Sequence, residues 1–186
     1  MTNEGGYLEL FLGPMYAGKT TKLLEIYRQC KFCNIPVCVI NHSLDTRYHE
    51  TMLSTHDKTM IPCIQMATLD VYLLNDANTI ADVVLINEGQ FFPDLYECVV
   101  KLLNMGKKIC ISGLDGDFER KKFGSILDLI PLCDKVEKLT SLCAICKDGT
   151  RAIFSLRTTG EKQQTLIGSD NYMPVCRCCY NNSNKL

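Results

Sequence analysis

Short apolar runs of strand length recur along this 186-residue chain. They lie at Tyr7–Leu12, Pro36–Ile40, Asp82–Ile86 and Lys108–Ser112. The third run lacks the alternation of polar and apolar residues that marks a half-exposed strand, which is typical of a strand buried on both faces of a parallel sheet. The pattern therefore predicts four strands within the first 112 residues.

The segments between these runs change to helical spacing. We predict helices at Thr21–Cys33, at Pro93–Met105 with Gly106 ending it, and a short one at Thr68–Asn75. Residues 49–62 show no clear period. The apolar residues at helical spacing are Leu23, Leu24, Ile26, Tyr27 and Cys30 in the first helix, and Leu95, Cys98, Val99, Leu102 and Leu103 in the second.

Strands that alternate with helices favour a parallel sheet covered on both faces, with right-handed crossovers. This alternation continues to about Leu139. A cysteine-rich segment follows, with β-like stretches at Ala152–Leu156 and Gln163–Ile167. We predict an α/β domain over residues 1–139 and a smaller domain over 140–186.

A phosphate-binding motif follows the first strand. Residues 13–20 read GPMYAGKT and complete the pattern G-x-x-x-x-G-K-[ST] between a predicted strand and a predicted helix. Backbone N–H groups of such a loop face phosphate oxygens, Lys19 adds a cation, and Thr20 offers a hydroxyl to Mg²⁺. The loop is expected to hold ATP or GTP in a P-loop (RecA-like) fold.

Polar residues also follow the second and third strands. The loop Asn41–Tyr48 comes after the second, and Glu88 stands two positions beyond the buried third. Ligands bind at the carboxyl ends of parallel strands, so both belong to the predicted site. A carboxylate there suits general-base work on a hydroxyl that attacks a phosphate.

Composition narrows the class of partner. Lys+Arg 20 against Asp+Glu 21 gives a net charge of −1, which provides no general attraction to nucleic acid. No apolar segment approaches the ~20 residues of a membrane span, and the first residues lack signal-peptide features. We expect a cytoplasmic protein without membrane or nucleic-acid partners, whose twelve cysteines are reduced or bind metal.

Two cysteine pairs predict a metal site. Cys143 with Cys146, and Cys176 with Cys179, form two C-x₂-C knuckles that suit tetrahedral zinc. The 29 residues between the pairs exceed a minimal ribbon, so a loop must project from it. Cys178 is the alternative fourth ligand.

The remaining cysteines are interpreted as packing residues. Cys30 and Cys33 also have C-x₂-C spacing, but they lie on the first predicted helix, so we expect them in the core. Four isolated cysteines are expected to be small buried hydrophobes: Cys63, Cys98, Cys110 and Cys133.

The ordered motifs of the chain resemble those of the thymidine kinases found in animal cytosol, many bacteria and large DNA viruses. The resemblance spans nearly the whole chain. The residues that carry it are the loop 13–20, Asp45–Tyr48, Thr55–Lys58, Glu88–Asp94, Gly113–Phe118, Arg120–Phe123, Tyr172 and Val175–Tyr180.

The resemblance implies ATP- and Mg²⁺-dependent transfer of a phosphoryl group to the 5′-hydroxyl of thymidine, with Glu88 as general base. It also implies structural zinc, a homotetramer and feedback inhibition by dTTP. The residues implied at the ATP and Mg²⁺ site are Gly13, Pro14, Met15, Tyr16, Ala17, Gly18, Lys19, Thr20, Asp45, Thr46, Arg47, Asn87, Glu88, Gly89 and Gln90.

For the nucleoside, the resemblance implies an apolar pocket and a lasso loop whose main chain grips the base. The pocket residues are Met15, Phe91, Leu114, Phe118, Phe123 and Tyr172, and those of the lasso are Gln164, Thr165, Leu166, Ile167 and Gly168. Each of these residues also has an interpretation as a core residue; for Phe91 the two interpretations are evenly balanced without the resemblance.

Two positions depart from the family pattern. Asn87 stands where the family has an aspartate that organises Mg²⁺, so reduced but not abolished activity is expected. The change is either a tolerated natural one or an introduced one. The segment Ile167–Tyr172 is one residue shorter than the usual lasso end, which could alter the fit of the nucleoside.

Two other functions are compatible with the motifs. One is a P-loop ATPase whose zinc knuckle binds nucleic acid, although the tail offers few basic residues. The other is a nucleotide-binding regulator disabled by Asn87, against which the retained Glu88 argues.

Overall fold

A computed structural model describes residues 5–45, 52–54, 59–74, 81–166 and 168–183. Within them twelve strands and four α-helices follow one another along the chain. Their bounds are β1 (Tyr7–Leu12), α1 (Lys19–Phe32), β2 (Val37–His42), β3 (Met52–Ser54), β4 (Met60–Pro62), β5 (Ile64–Met66), α2 (Asp70–Leu74), β6 (Val83–Asn87), α3 (Leu95–Asn104), β7 (Lys108–Gly113), β8 (Lys135–Lys138), β9 (Ser141–Leu142), β10 (Arg151–Ala152), β11 (Phe154–Arg157), β12 (Tyr172–Val175) and α4 (Arg177–Ser183).

Six strands form one parallel sheet in the order β5-β2-β6-β7-β1-β8. Helices flank the sheet, so the predicted α/β class is confirmed. Strand β6 lies near the centre and all five of its residues are buried, as the apolar run Val83–Ile86 predicts for its first four.

Each face of the sheet carries its own hydrophobic core. Successive side chains of a strand point to opposite faces, and β6 divides accordingly: Val84 and Ile86 pack with the apolar residues of α3, whereas Leu85 packs with Leu23 and Leu24 of α1. Helix α3 ends at Asn104, Met105 is its C-cap, and Gly106 follows with a φ of 72°. Two helices of predicted position thus cover the two faces.

The sequence pattern missed both edge strands of this sheet. Strand β5 has three residues, too few to show a period. Strand β8 reads KVEK and is largely exposed, as charged edge strands often are. Strand β2 also continues through Asn41 and His42, which the pattern assigned to a loop.

The C-terminal residues form two small antiparallel sheets, β9 with β10 and β11 with β12. They share a core of Cys143, Ala152, Val175, Cys176 and Tyr180. The β-like stretch at Gln163–Ile167 was wrongly predicted: its described part, 163–166, is not a strand, and β11 pairs instead with β12.

The isolated cysteines follow the packing prediction in part. Cys30, Cys98 and Cys110 are buried, but Cys33 is exposed at the end of α1, so its assignment to the core was wrong. Cys63 and Cys133 are partly buried. Among the described helices, none combines the length and the apolar character needed to cross a membrane.

Candidate active site

The site forms where four neighbouring strands of the parallel sheet end. The P-loop, residues 13–20, follows β1. Asp45 lies just beyond β2, Glu88 follows β6 and Leu114 follows β7. Because these strands are parallel and adjacent, their carboxyl ends lie at one edge. Residues up to about 100 positions apart in sequence are thereby gathered around one cavity.

The P-loop leads directly into α1. Gly18 has a φ of 82° and caps the helix, which begins at Lys19. Tyr16 also adopts a left-handed conformation, with a φ of 62°. The Lys19 ammonium donates a 2.7 Å hydrogen bond to the Pro14 carbonyl, within the loop itself. The cation is thus held over the segment that would cradle phosphates.

A buried polar network stands beneath the loop, centred on Asn87. Its Oδ1 accepts hydrogen bonds from the Ser112 hydroxyl at 2.7 Å and the Thr20 hydroxyl at 3.4 Å. Its Nδ2 donates to Asn41 Oδ1 at 2.8 Å, and Asn41 Nδ2 donates to Asp45 at 3.2 Å. A continuous chain of hydrogen bonds therefore joins the P-loop threonine to Asp45.

Glu88 lines the cavity in a strained conformation. Its φ is 55° and its ψ 44°, in the left-handed region that non-glycine residues rarely adopt. Gln90 Nε2 donates a 2.6 Å hydrogen bond to Glu88 Oε2, and Gln90 Oε1 accepts one from the backbone of Leu114. The carboxylate is thus fixed from one side by an amide.

A cavity of about 370 Å³ opens in front of these groups. Its wall includes most of the residues expected to bind ATP or nucleoside: Met15, Tyr16, Ala17, Gly18, Lys19, Thr20, Asp45, Glu88, Phe91, Leu114, Phe118, Phe123, Gln164, Thr165, Leu166, Gly168 and Tyr172.

Other expected site residues do not line the cavity. They are Gly13, Pro14, Asn87, Gly89 and Gln90, and all five are buried. Three further expected residues fall outside the described part of the chain: Thr46, Arg47 and Ile167.

Aromatic rings shape the apolar side of the cavity. Phe91 meets Phe123 edge to face, with ring centroids 5.4 Å apart. Behind Phe91 stands His42, at 5.6 Å between centroids, and the same imidazole packs against Phe92 at 4.7 Å. Phe91 is therefore braced on two sides and presents a fixed surface to a flat ligand.

His42 is buried and supports the loop that carries Asp45. Its Nδ1 accepts a 3.1 Å hydrogen bond from the backbone N–H of Leu44. Burial lowers the pKa of His42, and the Ala67 carbonyl and the charges of Glu88 and Asp45 raise it by less. The imidazole is thus held neutral, as an acceptor at Nδ1 requires.

Several cavity residues escaped sequence reasoning: Thr21, Leu44, Gly116, Asp117 and Ser155. Asp117 stands inside the motif Gly113–Phe118, so a closer reading of that motif could have found it. Ser155 lies on β11, and its hydroxyl accepts a 3.0 Å hydrogen bond from the backbone N–H of Met15, 140 positions away. The sequence around neither residue indicates that contact.

The loop after β11 closes one end of the cavity. Gln164 donates a 2.7 Å hydrogen bond from Nε2 to Asp117 Oδ2. The other carboxylate oxygen of Asp117 accepts from the backbone of Glu119 and Lys121. The loop is therefore attached to the turn after β7 by a buried acceptor that is itself fixed.

Four cysteines come together at the far end of the C-terminal part. The sulfur atoms of Cys143, Cys146, Cys176 and Cys179 all lie within 4.8 Å of one another. Cys178 is exposed, and its sulfur contacts Asn182 instead. The structure therefore selects Cys179 over Cys178 as the fourth member.

The chemistry of this donor set fits zinc. Four thiolates about 2.3 Å from one tetrahedral ion stand a little under 4 Å apart, and the sulfurs of Cys146 and Cys176 are 3.8 Å apart. Burial opposes ionisation of Cys143, but backbone N–H donors from Cys146, Cys176 and Ile145 outweigh it and lower its pKa. A thiolate is thus favoured at Cys143, one of the four candidate ligands.

Helix α4 connects the cysteine cluster to the cavity. The Tyr180 hydroxyl donates a 2.5 Å hydrogen bond to the carbonyl of Phe118, a cavity residue. The Arg120 guanidinium lies 4.4 Å above the Tyr180 ring. The position of the Phe118 turn therefore depends on the C-terminal part.

Known proteins match this chain along nearly its whole length. A family model described as thymidine kinase matches residues 6–180. The thymidine kinase of Yaba monkey tumor virus (strain VR587) is 40% identical over 181 residues, which are 97% of this chain and 97% of that protein. The cytosolic thymidine kinase of Bos taurus is 40% identical over 94% of this chain and 72% of its own length. The thymidine kinase of Oryza sativa subsp. japonica is 43% identical, and the match covers 94% of this chain and 66% of the rice protein.

Proposed function

The chain belongs to the thymidine kinase family, and on that premise we propose that it transfers the γ-phosphoryl group of ATP to the 5′-hydroxyl of thymidine. The product is thymidine monophosphate, for nucleotide salvage. The proposal rests on one observation above all: the P-loop, the Glu88 carboxylate and the aromatic residues Phe91, Phe118 and Phe123 line a single cavity. A donor and an acceptor can therefore meet there.

The phosphates of ATP bind at the P-loop in this proposal. The loop presents backbone N–H groups at the start of α1, where the helix dipole also favours negative charge. Lys19 stands within the loop and needs to exchange its contact with the Pro14 carbonyl for phosphate oxygens. Arg47, which the family resemblance implies at the phosphate site, adds a second cation. These charges neutralise the phosphoryl group during transfer.

We assign three oxygen donors to the Mg²⁺ site: the Thr20 hydroxyl, the Asn87 amide oxygen and the Asp45 carboxylate. Thr20 and Asp45 line the cavity, and the buried Asn87 oxygen accepts a hydrogen bond from the Thr20 hydroxyl. Oxygen atoms of these kinds are the ligands that Mg²⁺ prefers. Bound Mg²⁺ would neutralise charge on the transferred phosphoryl group. Because Asn87 carries no charge, Asp45 and the ATP phosphates supply the negative charge at this site, and metal binding is weaker than with an aspartate.

Glu88 serves as the general base. It stands where strand β6 ends, beside the P-loop and the apolar pocket, so its carboxylate can accept the proton of a hydroxyl that attacks the γ-phosphate. Gln90 occupies one carboxylate oxygen through its 2.6 Å hydrogen bond. Positioning of the two substrates supplies most of the remaining rate.

The nucleoside base occupies the apolar side of the cavity. Phe91 is braced for stacking by Phe123 and His42. Met15, Leu114, Phe118 and Tyr172 complete the wall. The lasso residues, 164–168, bring main-chain donors and acceptors to the edge of the base, which supports discrimination by backbone hydrogen bonds.

The four-cysteine cluster binds structural zinc in this proposal. Residues 1–139 are the kinase domain, and residues 140–186 are the zinc and lasso domain. The Ser155 hydrogen bond to Met15 and the Tyr180 hydrogen bond to Phe118 support a role for the second domain in shaping the first. A zinc ion there stabilises a segment that is too small to fold on its core alone.

We extend three further family expectations to this chain: assembly as a homotetramer, feedback inhibition by dTTP, and a cytoplasmic location. The bovine relative is described as cytosolic, which supports the last of these.

The experiment that tests this function is an assay of the purified chain with ATP, radiolabelled thymidine and a Mg²⁺ titration. Cytidine and deoxyadenosine serve as controls. Thymidine monophosphate from thymidine alone, with an elevated Mg²⁺ requirement, is the expected result. Thymidine binding without product at any Mg²⁺ concentration would contradict the proposal and favour a nucleotide-binding regulator disabled at Asn87.

A further inference from the structure

One buried arginine organises the loop that closes the cavity. Arg157, the last residue of β11, is 8% exposed. Its Nη1 donates to the carbonyls of Glu161, at 2.9 Å, and Gln163, and its Nη2 donates to the carbonyl of Gln164, at 3.1 Å. A single side chain thus binds three carbonyls within four consecutive residues.

The same guanidinium contacts two aromatic residues of the cavity wall. It stacks over the Phe118 ring, with the central carbon 3.7 Å from the ring centroid. Its Nη2 also donates to the hydroxyl of Tyr172. Arg157 therefore touches the loop, the turn after β7 and strand β12 at once.

The loop has little else to define its shape. Residues 161–166 form no regular secondary structure, and most of them are exposed. Backbone carbonyls outside helices and strands need other partners to be held in place. Bonds from a charged guanidinium are among the strongest available, and its planar fork fixes their direction. The Gln164–Asp117 hydrogen bond then attaches the shaped loop to the wall.

Arg157 is committed to these contacts. Among the described residues, no carboxylate forms an ion pair with Arg157. Burial of the positive charge of its guanidinium would be costly unless carbonyl oxygens and π faces surrounded that group. Four acceptors engage its two terminal nitrogens. The side chain is therefore directed at the protein's own main chain rather than at a phosphate of the nucleotide.

We propose that Arg157 is a positioning residue that pre-shapes the loop 161–166, together with Phe118, into the base-binding wall before the nucleoside enters. The proposal rests on the proposed function in taking thymidine as the ligand. The consequence is specific: without the guanidinium of Arg157, part of the binding free energy of the nucleoside is used to order the loop. The KM for thymidine rises, while the phosphate site, which Arg157 does not contact, is unchanged.

The test compares two variants, Arg157→Met and Arg157→Lys. The matched control for Arg157→Met is Arg151→Met, which alters an exposed arginine of β10. Amide hydrogen exchange of 161–166 is measured in the free protein, and zinc content reports whether the C-terminal part is folded. We expect about tenfold faster exchange in Arg157→Met and about tenfold higher KM for thymidine, with kcat and the KM for ATP within about twofold of the parent.

Arg157→Lys keeps the charge but loses the fork, so both measurements are expected to fall between those of the parent and Arg157→Met. If Arg157→Met yields no folded protein, Arg157→Lys decides by the same two measurements. Unchanged exchange, or a loss of kcat and of ATP affinity equal to the loss for thymidine, would overturn the proposal.

The two proposals fail in distinguishable ways. If the parent chain phosphorylates no thymidine, the function is wrong, yet accelerated exchange in Arg157→Met alone still supports the positioning role. If the parent is active and the variant has parental exchange and parental KM, the function stands and the role of Arg157 is refuted.

Discussion

The Asn87 amide donates its 2.8 Å hydrogen bond to Oδ1 of Asn41, and this direction fixes what each side chain can do. Because the oxygen of Asn41 faces Asn87, its amide nitrogen faces Asp45 and donates to it. An aspartate at position 87 has no proton to give at neutral pH. The amide thus orders the Asp45 carboxylate, while the site holds one negative charge fewer.

Changing Asn87 to aspartate is expected to lower the Mg²⁺ concentration at half-maximal rate by about tenfold, because an added carboxylate strengthens divalent-cation binding. The measurement is the initial rate across a Mg²⁺ titration. Asn104→Asp changes the net charge equally at an exposed position at the end of α3 and should leave the requirement unaltered. An unchanged requirement in Asn87→Asp would remove Asn87 from the metal site.

Replacing Glu88 with glutamine should lower kcat by about 10²–10⁴-fold, since the amide has no basic oxygen to take the hydroxyl proton. ATP binding, followed by equilibrium dialysis, is expected to survive because the P-loop is untouched. Glu97→Gln, at an exposed position on α3, is the matched control. Turnover at the parental rate in Glu88→Gln would show that another group is the base.

The cysteine cluster predicts opposite results for two adjacent positions. Cys179→Ser removes a sulfur that lies with the other three, so bound zinc is expected to fall well below one ion per chain. Cys178→Ser alters an exposed thiol outside the cluster and should keep full zinc. Metal analysis of the purified proteins decides the matter; equal zinc loss in both variants would contradict the assignment.

Gly124 should tolerate no side chain. Its φ is 60°, and a Cβ there would lie 2.1 Å from the carbonyl oxygen of Gln90, the residue that holds Glu88. Gly124→Ala is expected to cost about 2–4 kcal/mol of unfolding free energy, through strain and displacement of that backbone. Gly160→Ala, where a Cβ meets nothing within 4 Å, should cost far less in the same denaturant titration.

The buried imidazole of His42 predicts a pH dependence of stability. Its pKa in the folded protein lies below its ordinary value of 6.5, so at low pH the unfolded chain binds the proton more readily than the folded one. The stabilisation is complete above pH 6.5 and is lost as the pH falls through the folded pKa. His42→Asn should flatten the unfolding free energy between pH 7.5 and 5.5; an unchanged slope would exclude His42 as its source.

The P-loop was predictable because all of its geometry is local. Eight consecutive residues, preceded by an apolar strand and followed by a helical period, specify a loop whose backbone faces a ligand. Glu88 was predictable for a related reason, since it follows a strand that is apolar from Val83 to Ile86. The two edge strands were not predictable, because three residues or a charged KVEK segment carry no period.

The cysteine-rich end shows the same division. Spacing alone left Cys178 and Cys179 as alternatives, and the turn into α4 decides which sulfur faces the others. The sequence pattern also suggested a strand at Gln163–Ile167. The carbonyls of Gln163 and Gln164 instead accept hydrogen bonds from the side chain of Arg157 rather than from a neighbouring strand. A pattern of apolar residues records burial, not the partner that a backbone finds.

The sequence by itself determined the α/β class, the phosphate loop, the carboxylate at the end of β6 and the two cysteine knuckles, because each depends on neighbours a few positions away. Only the tertiary structure decided how Asn41 orients Asp45, that Ser155 meets Met15, and that Arg157 shapes the loop over the cavity. Those contacts join residues that only the parallel sheet and the docked C-terminal part bring within bonding distance. Hydrogen bonds act over about 3 Å, and the positions that chain folding brings that close leave no period in the sequence.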